Sequence, residues 1–257
     1  MSIATQIQRI QQAKTDIKAA INDKGVIIPD NATIDTYPTY VSQISSGSGG
    51  GYDEQLFIDM IEGDITTLNI PDGTTKICDY ACYMFTSLTS LIIPDSVVSI
   101  GMAAFNHCES LREITIPSTV TTIEGYTFGH CYRLTSITIP DTVREIGEYA
   151  FEKCQSLTDI TIPSTLTSIS NGTFRECIYL KEVTIPENIT SIGGMAFYKC
   201  TSLNAITVLA ATPPTLGANA FSNTNNCPIY VPAESVNSYK NASNWIEYAD
   251  RIFAITE

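Results

Sequence analysis

The residues best suited to metal binding or nucleophilic chemistry in this chain are eight cysteines and two histidines. Both histidines, His107 and His130, immediately precede a cysteine, and the two His-Cys pairs lie 23 residues apart. Neighbouring side chains in an extended turn point in opposite directions, so a buried cysteine leaves its histidine outside and the pair is not expected to share one ion. We expect surface histidines, and a weak two-histidine metal site is the alternative.

Five of the cysteines occupy one position of a repeating unit. They are Cys108, Cys131, Cys154, Cys177 and Cys200. If successive units stack ~4.8 Å apart, these residues form a column of small buried thiols, a role that free cysteine fills well. We expect structural free thiols, with disulfides between neighbouring units and metal binding as alternatives. Cys78 and Cys82 have no second pair or histidine nearby in the sequence, so no zinc site is predicted.

No motif for catalysis is present. The sequence has no nucleophile elbow, phosphate-binding loop, HExxH motif or dinucleotide fingerprint. Glu113, Asp159 and Glu182 stand at equivalent outward positions, where isolated carboxylates are usually only solvated. An enzyme is therefore the least favoured class, and no cofactor is implied.

A 23-residue repeat positions all of these side chains. Its proline recurs at Pro71, Pro94, Pro117, Pro140, Pro163 and Pro186, and its phenylalanine at Phe105, Phe128, Phe151, Phe174 and Phe197. One unit is too small to bury its own apolar face, so the units must stack into one solenoid with a continuous core. The apolar pattern predicts two short strands per unit and a compact turn, or one helical turn, at the phenylalanine. In the first unit, Cys82 and Phe85 exchange the two positions, which keeps the filled volume nearly constant.

The chain divides into a helical module, a linker and the repeat array. Residues 1–44 predict a small helical hairpin whose first helix carries an apolar stripe. The stripe consists of Ile3, Ile7, Ile10, Ile17 and Ile21. Residues 45–51 are a Gly/Ser linker, residues 52–208 are the solenoid with its N-terminal cap, and residues 209–257 hold a variant last coil and a C-terminal cap. So small a hairpin hides its stripe poorly, so we expect residues 1–44 to mediate assembly with other proteins or with copies of the chain.

The net charge of −13 limits the partners of the repeat array. Residues 1–44 hold equal numbers of acidic and basic side chains, so the remainder carries all of the excess, with 10 basic and 23 acidic residues. This acidity argues against nucleic acid and anionic lipid. No stretch approaches the ~18–20 apolar residues of a membrane span. The N-terminus offers no signal-peptide core, so the chain is expected to be made in a cytoplasm without membrane insertion.

Two sets of outward side chains are candidate surfaces for a protein or glycan ligand. The first is a row of threonines between the two buried positions of each first strand, namely Thr115, Thr138, Thr161, Thr184 and Thr207. The second is a set of tyrosines near the turn after the phenylalanine, namely Tyr83, Tyr132, Tyr179 and Tyr198. Tyrosine is enriched at recognition surfaces. The alternatives are that threonine simply suits a strand surface and that the tyrosines are scattered exposed rings.

The repeat resembles a known family. Residues 134–154, LTSITIPDTVREIGEYAFEKC, resemble the BspA-type leucine-rich repeat, and residues 212–245 are similar to a module that often closes such arrays. The resemblance covers roughly residues 56–257. It implies an α/β-repeat fold, a leucine-rich-repeat solenoid of about six to seven 23-residue coils. It also implies a scaffold for binding or adhesion.

The first 44 residues resemble a short N-terminal module of phage tail and fibre-type proteins, in the words IQRIQQAK and KGVIIP. This resemblance implies a docking segment of a virion or prophage structural protein. The sequence therefore predicts a non-enzymatic virion protein of tail-fibre type whose solenoid binds protein or glycan. The alternative is a BspA-like adhesin on a bacterial cell surface.

Overall fold

The computed structural model describes residues 66–256, which form a parallel β-solenoid of about eight turns of roughly 23 residues. The solenoid fold predicted from the repeat is confirmed, with somewhat more turns than the six to seven expected. Each coil has three sides, which we call the first β face, the second β face and the turn face. The helical hairpin, the linker and the N-terminal cap predicted from the sequence lie outside the described residues.

The first β face is built from short parallel strands, one from each coil. Its strands are β1 (Thr67–Asn69), β3 (Ser90–Ile92), β5 (Glu113–Thr115) and β7 (Ser136–Thr138), and then β10 (Glu182–Ile185), β12 (Ala205–Val208), β14 (Ile229–Val231) and β15 (Ile252–Ala254). Residues pair in steps of 23, as Thr115 does with Thr138. Residues 159–161 form no strand, so this face consists of two four-stranded sheets.

The second β face follows the proline of each coil. Its strands are β2 (Lys76–Ile77), β4 (Ser99–Ile100), β6 (Thr122–Ile123) and β8 (Glu145–Ile146), and then β9 (Ser168–Ile169), β11 (Ser191–Ile192) and β13 (Thr215–Leu216). In each strand the isoleucine or leucine is buried, while its neighbour is exposed or half-buried. Two short strands per unit are therefore confirmed, except in the unit where residues 159–161 form no strand.

The turn face contains no helix, so of the two conformations expected there the compact turn is the one found. Residues on both sides of the phenylalanine adopt left-handed backbone, as do Tyr126 (φ 57°) and His130 (φ 60°) around Phe128. This conformation is costly for residues with a side chain. It turns every second N–H toward the next coil: the N–H of Phe128 donates to Ala150 at 2.8 Å, and that of His130 to Glu152 at 2.7 Å. These cross-coil hydrogen bonds offset the conformational cost.

The core is a set of side-chain columns that run through the coils. The six phenylalanines from Phe105 to Phe221 are buried, and consecutive ring centroids lie 5.3–5.7 Å apart. Beside them runs the cysteine column, in which each thiol from Cys131 to Cys200 donates to the phenylalanine carbonyl of the preceding coil, as Cys131 does to Phe105 at 3.3 Å. None of the eight cysteines is in a disulfide.

The first coil shows the predicted exchange of large and small side chains. The Cys108 thiol donates to the carbonyl of Cys82 at 3.3 Å, so Cys82 occupies the position that phenylalanine holds in later coils. Phe85 is buried and fills the volume of the cysteine. The prediction is confirmed, because the pair conserves the total volume between the coils.

A short helical segment closes the C-terminal end of the stack. It consists of a 3₁₀ turn (Ala233–Ser235), helix α1 (Val236–Asn241) and a 3₁₀ helix (Trp245–Arg251). Trp245 and Tyr248 both contact Phe221, at 5.7 Å between centroids, and so end the phenylalanine column. The Trp245 indole N–H donates to the carbonyl of Pro214 at 2.7 Å, which satisfies its buried polar group. Among residues 66–256, no helix has the length and apolar character to span a membrane.

Candidate ligand-binding surfaces

The threonine row lies on the outer side of the first β face. Thr115, Thr138, Thr161 and Thr184 are exposed and Thr207 is half-buried. Thr115 pairs with Thr138, and Thr184 with Thr207. Thr161 lies in the interruption between the two sheets, so the row is not one uniform ladder.

The column of residues that contains the threonine row has large apolar and aromatic side chains toward its two ends, which were not part of the predicted row. Ile92 stands near one end and is 58% exposed, while Tyr230 and Phe253 occupy the other end in register with Thr207. Phe253 is 49% exposed. The 23-residue spacing, continued beyond the threonines in the sequence, identifies these positions.

The four tyrosines singled out in the sequence do not form one row. Tyr83 and Tyr198 occupy the same position of coils that are five repeats apart, whereas Tyr132 and Tyr179 occupy two other positions. Tyr179 is 57% exposed, and the other three are half-buried. The structure therefore places them on different columns of the turn face and its border.

A different tyrosine pair forms a stack on the turn face. The rings of Tyr126 and Tyr149 are nearly parallel, at 12°, and their centroids lie 5.0 Å apart. In the next coil the stack reaches Gly172, where any side chain would overlap the Tyr149 ring. Gly172 also has left-handed backbone, with φ of 59°, which suits glycine. The 23-residue spacing of Tyr126 and Tyr149 was the signal in the sequence.

The two histidines also stack on each other, a contact that the sequence analysis did not predict. Their rings lie 4.2 Å apart at 13°, and the edges of Tyr83 and Tyr132 cover them on either side. The position beside a buried cysteine does face outward, but the neighbouring coil supplies a second ring ~4.8 Å away. Both histidines are therefore half-buried.

His130 is held in its neutral form. Its Nε2 lies 3.2 Å from the Lys153 ammonium, which donates to it, and its Nδ1 is buried without a hydrogen-bond partner. Burial, together with the smaller effects of the nearby charges of His107, Lys153 and Arg175, lowers the pKa of His130 to about 4. Within residues 66–256, no three His, Cys, Asp or Glu side chains are grouped so that they could hold a metal ion.

Charged side chains continue the turn face toward the C-terminus. Arg175 bridges Glu152 at 2.7 Å and Glu176 at 3.1 Å, and Lys199 lies 3.7 Å from Glu176. Burial raises the pKa of Glu152, and the Arg175 guanidinium acts against that shift. The Tyr198 ring contacts both cations, at 5.9 Å from the Arg175 guanidinium carbon and 5.4 Å from the Lys199 nitrogen.

These side chains lie on the turn face of successive coils, and we call them together the turn-face cluster. It comprises His107, Tyr126, His130, Tyr149, Lys153, Arg175, Glu176, Tyr198 and Lys199. Its N-terminal half is aromatic and its C-terminal half is charged. Such a surface can stack and form hydrogen bonds with a ligand, but it presents no nucleophile paired with a base.

The fold is that of a leucine-rich-repeat solenoid. The family description "BspA type Leucine rich repeat region" matches residues 60–181 and 121–244, in six copies. The chain therefore belongs to the BspA-type leucine-rich-repeat family. A search of curated proteins found no match.

Solved leucine-rich-repeat structures share the fold. The Treponema pallidum protein TpLRR is 28% identical, with a TM-score of 0.59 over 63% of this chain and 78% of its own. A leucine-rich repeat protein from Bacteroides ovatus ATCC 8483 is 24% identical, with a TM-score of 0.52 over 65% of this chain and 55% of its own. A leucine rich cell surface protein from Faecalibacterium prausnitzii A2-165 is 25% identical, with a TM-score of 0.46 over 75% of this chain and 64% of its own. The match thus spans about half the length of the Bacteroides protein.

None of these comparisons supports the phage interpretation. The family match begins at residue 60, and the residues that suggested a tail or fibre module, 1–44, lie outside the described part of the chain. The predicted assembly stripe at Ile3, Ile7, Ile10, Ile17 and Ile21 lies there too, and it stays a prediction.

Proposed function

We propose that the protein is a non-enzymatic binding protein of adhesin type at a bacterial cell surface, and that its turn-face cluster binds a protein ligand. Membership of the BspA-type family supports the binding role, because such proteins are generally non-enzymatic binding or adhesin-type proteins. The observation that carries the choice of surface is the concentration of stacked tyrosine, histidine and arginine on one face. Tyrosine and arginine are the residues most enriched at the energetic centres of protein interfaces.

The rigidity of the turn face favours binding. Its backbone is bonded from coil to coil, as between Lys153 and Arg175 at 2.7 Å, and the phenylalanine column lies directly beneath. The Tyr126 and Tyr149 rings are already ordered by stacking on each other. A surface whose side chains are fixed before binding loses less conformational entropy when a ligand binds.

The charges of the turn-face cluster favour a protein rather than a polyanion as the ligand. The turn-face cluster contains both signs, with Glu176 beside Arg175 and Lys199. Such mixed pairs give a protein ligand complementary contacts that fix its orientation. A polyanion such as nucleic acid would meet the acidic remainder of the repeat array.

Binding to host-type epithelial cells tests this proposal. Fluorescently labelled full-length protein is added to cell monolayers that are untreated, treated with protease, or treated with periodate to oxidise glycans. We expect protease to abolish binding and periodate to leave it unchanged. Loss of binding only after periodate would overturn the choice of a protein ligand.

A matched pair of variants tests which surface binds. Tyr126→Ala with Tyr198→Ala removes two rings of the turn-face cluster, and we expect binding to weaken about tenfold or more. The control, Thr138→Ala with Thr184→Ala, alters the threonine row and should stay within about twofold. The reverse result would transfer the function to the first β face.

Antibody labelling of intact bacteria tests the location. Labelling of whole cells, lost after brief protease treatment, is the expected result. Labelling confined to released phage particles would instead support the virion interpretation of residues 1–44.

A further inference from the structure

An open polar groove runs along the corner between the second β face and the turn face. It crosses three coils, and its lining includes the hydroxyl residues Ser168, Ser191 and Thr215. These three residues lie opposite one another in the neighbouring strands β9, β11 and β13. The groove therefore presents a straight row of hydroxyl groups, one for each coil.

The groove exists because this part of the corner lacks long side chains. Gly193 and Gly217 are required by packing, since a side chain on either would overlap the backbone of the preceding coil. One coil earlier in the hydroxyl row the position is occupied by the longer side chain of Glu145, and β8 does not pair with β9. The groove therefore lies in the three coils that follow Glu145.

Two polar side chains in the groove are fixed in position. The Asn171 amide donates from Nδ2 to Glu148 Oε1 at 2.8 Å, and its Oδ1 accepts from the N–H of Gly194 at 2.8 Å. Each group retains capacity for a ligand, namely the second amide hydrogen of Asn171 and the second carboxylate oxygen of Glu148. The hydroxyls of Ser168 and Ser191 have no partner among the described residues and are free to donate or accept.

An aromatic ring adjoins this polar set. Tyr149 directly follows Glu148 in the chain, and its ring lies against Gly172, the residue after Asn171. A ring at the rim of a polar groove offers an apolar surface to the carbon–hydrogen face of a ligand. The groove thus combines a hydroxyl row, an oriented amide, one carboxylate and one aromatic neighbour.

The chemistry of this set selects one class of ligand. The groove lining contains a carboxylate and no cationic side chain, which disfavours sulfated, phosphorylated and other anionic ligands. Its free groups both donate and accept hydrogen bonds, as the hydroxyls of a sugar do, and their row extends over ~10 Å at the spacing of parallel strands. We propose that this groove binds a neutral oligosaccharide.

The groove lining shares no residue with the turn-face cluster, although Tyr149 of that cluster adjoins it. The two proposals name different classes of ligand, so either can fail alone. Isothermal titration calorimetry of the full-length protein is performed with cellohexaose, laminarihexaose and mannohexaose. A heparin hexasaccharide serves as the anionic counterpart. We expect saturable binding of at least one neutral hexasaccharide and none of heparin.

Two variants of the same strand column locate the site. Ser191→Phe places a ring in the groove, whereas Ser99→Phe makes the same change on β4, four coils away and outside it; both serines are half-buried. We expect Ser191→Phe to weaken the binding about tenfold or more and Ser99→Phe to leave it within about twofold. Thermal unfolding of both variants shows whether each retains the fold. If Ser191→Phe does not fold, Glu148→Gln replaces it as the groove variant, because glutamine keeps a hydrogen-bond acceptor at that position.

Each result decides the proposal. Absence of binding to all three neutral hexasaccharides overturns it, as does binding of heparin alone. Equal losses in Ser191→Phe and Ser99→Phe would also overturn it, since the groove would then not be the site.

Discussion

The inside and the outside of a single turn follow different rules. Phe128 lies inside, stacked on the phenylalanines of the coils above and below. Two residues away on either side, Tyr126 and His130 lie outside. The inner position keeps phenylalanine from Phe105 to Phe197, whereas the outer position of His130 changes to lysine in the next coil.

The difference has a physical cause. A buried ring must fill the space between two coils, and a change of volume leaves a cavity or a clash. An outer side chain is limited only by the side chains directly above and below it. The inner columns therefore stabilise the solenoid. The outer positions, including those of the turn-face cluster, can vary and so form a binding surface.

The largest loss of stability is expected from a substitution in the inner phenylalanine column. Phe151→Ala removes a fully buried ring that stacks on Phe128 and Phe174. We expect the free energy of unfolding to fall by about 3–5 kcal/mol, because the stack cannot close over the lost ring. Urea denaturation followed by circular dichroism measures this loss. The control Thr161→Ala, an exposed position, should cost less than about 1 kcal/mol, and equal losses would contradict the assignment of inside and outside.

A smaller effect is expected from the charged half of the turn-face cluster. Arg175→Met leaves the Glu152 carboxylate, only 7% exposed, without its partner. We expect a loss of about 1–3 kcal/mol, the cost of an unsatisfied buried polar group. Lys199→Met is the control, since its side chain is 47% exposed and 3.7 Å from Glu176, and exposed pairs contribute about 0–1 kcal/mol. Equal effects of the two changes would show that Glu152 does not depend on Arg175.

The histidine stack predicts a dependence on pH. His130 has a pKa of about 4 in the folded protein, below its ordinary value of 6.5. Between those values the unfolded chain binds a proton that the folded protein does not, so stability falls as pH decreases from about 6.5 to about 4. The raised pKa of Glu152 has the opposite sign, so the comparison is made with His130→Gln. Thermal midpoints between these pH values should decline less steeply in the variant, and parallel curves would contradict the prediction.

The burial of the cysteine column predicts that its thiols react slowly with thiol reagents while the protein is folded. Seven of the eight cysteines are buried and Cys78 is half-buried, and burial raises the pKa of the column thiols, such as Cys131. Since the thiolate is the reactive form, titration of the unreduced native protein should detect few thiols, and nearly all eight after denaturation. Few reactive thiols after denaturation would mean that disulfides are present.

Sequence periodicity was sufficient to predict the inner columns but not the side-chain contacts on the outer surface. Phe128, Cys131 and even the Cys82–Phe85 exchange could be assigned because every coil repeats the same packing problem. The ring contact between His107 and His130 was not predicted, because it joins residues of adjacent coils and not neighbours in the chain. The same 23-residue step, applied to outward positions, gives the Tyr126–Tyr149 stack.

Other features depend on geometry that the repeat does not encode. The groove at Ser191 lies just beyond an interruption between β8 and β9, which do not pair although both coils have the usual length. The functions of residues 1–44, including assembly through Ile10 and Ile17, stay predictions from the sequence. The threonine row and the tyrosine set likewise stay candidate ligand surfaces until binding is measured.

The central claim is that the interior supports the fold while the turn-face cluster binds. It is tested most directly by two changes in one turn, Phe128→Leu inside and Tyr126→Ala outside, each measured for stability and for binding to epithelial cells. We expect Phe128→Leu to lower the unfolding midpoint and, below that midpoint, to bind normally. We expect Tyr126→Ala to change the free energy of unfolding by less than about 1 kcal/mol and to weaken binding. A folded Phe128→Leu protein that fails to bind, together with a Tyr126→Ala protein that binds normally, would contradict the claim.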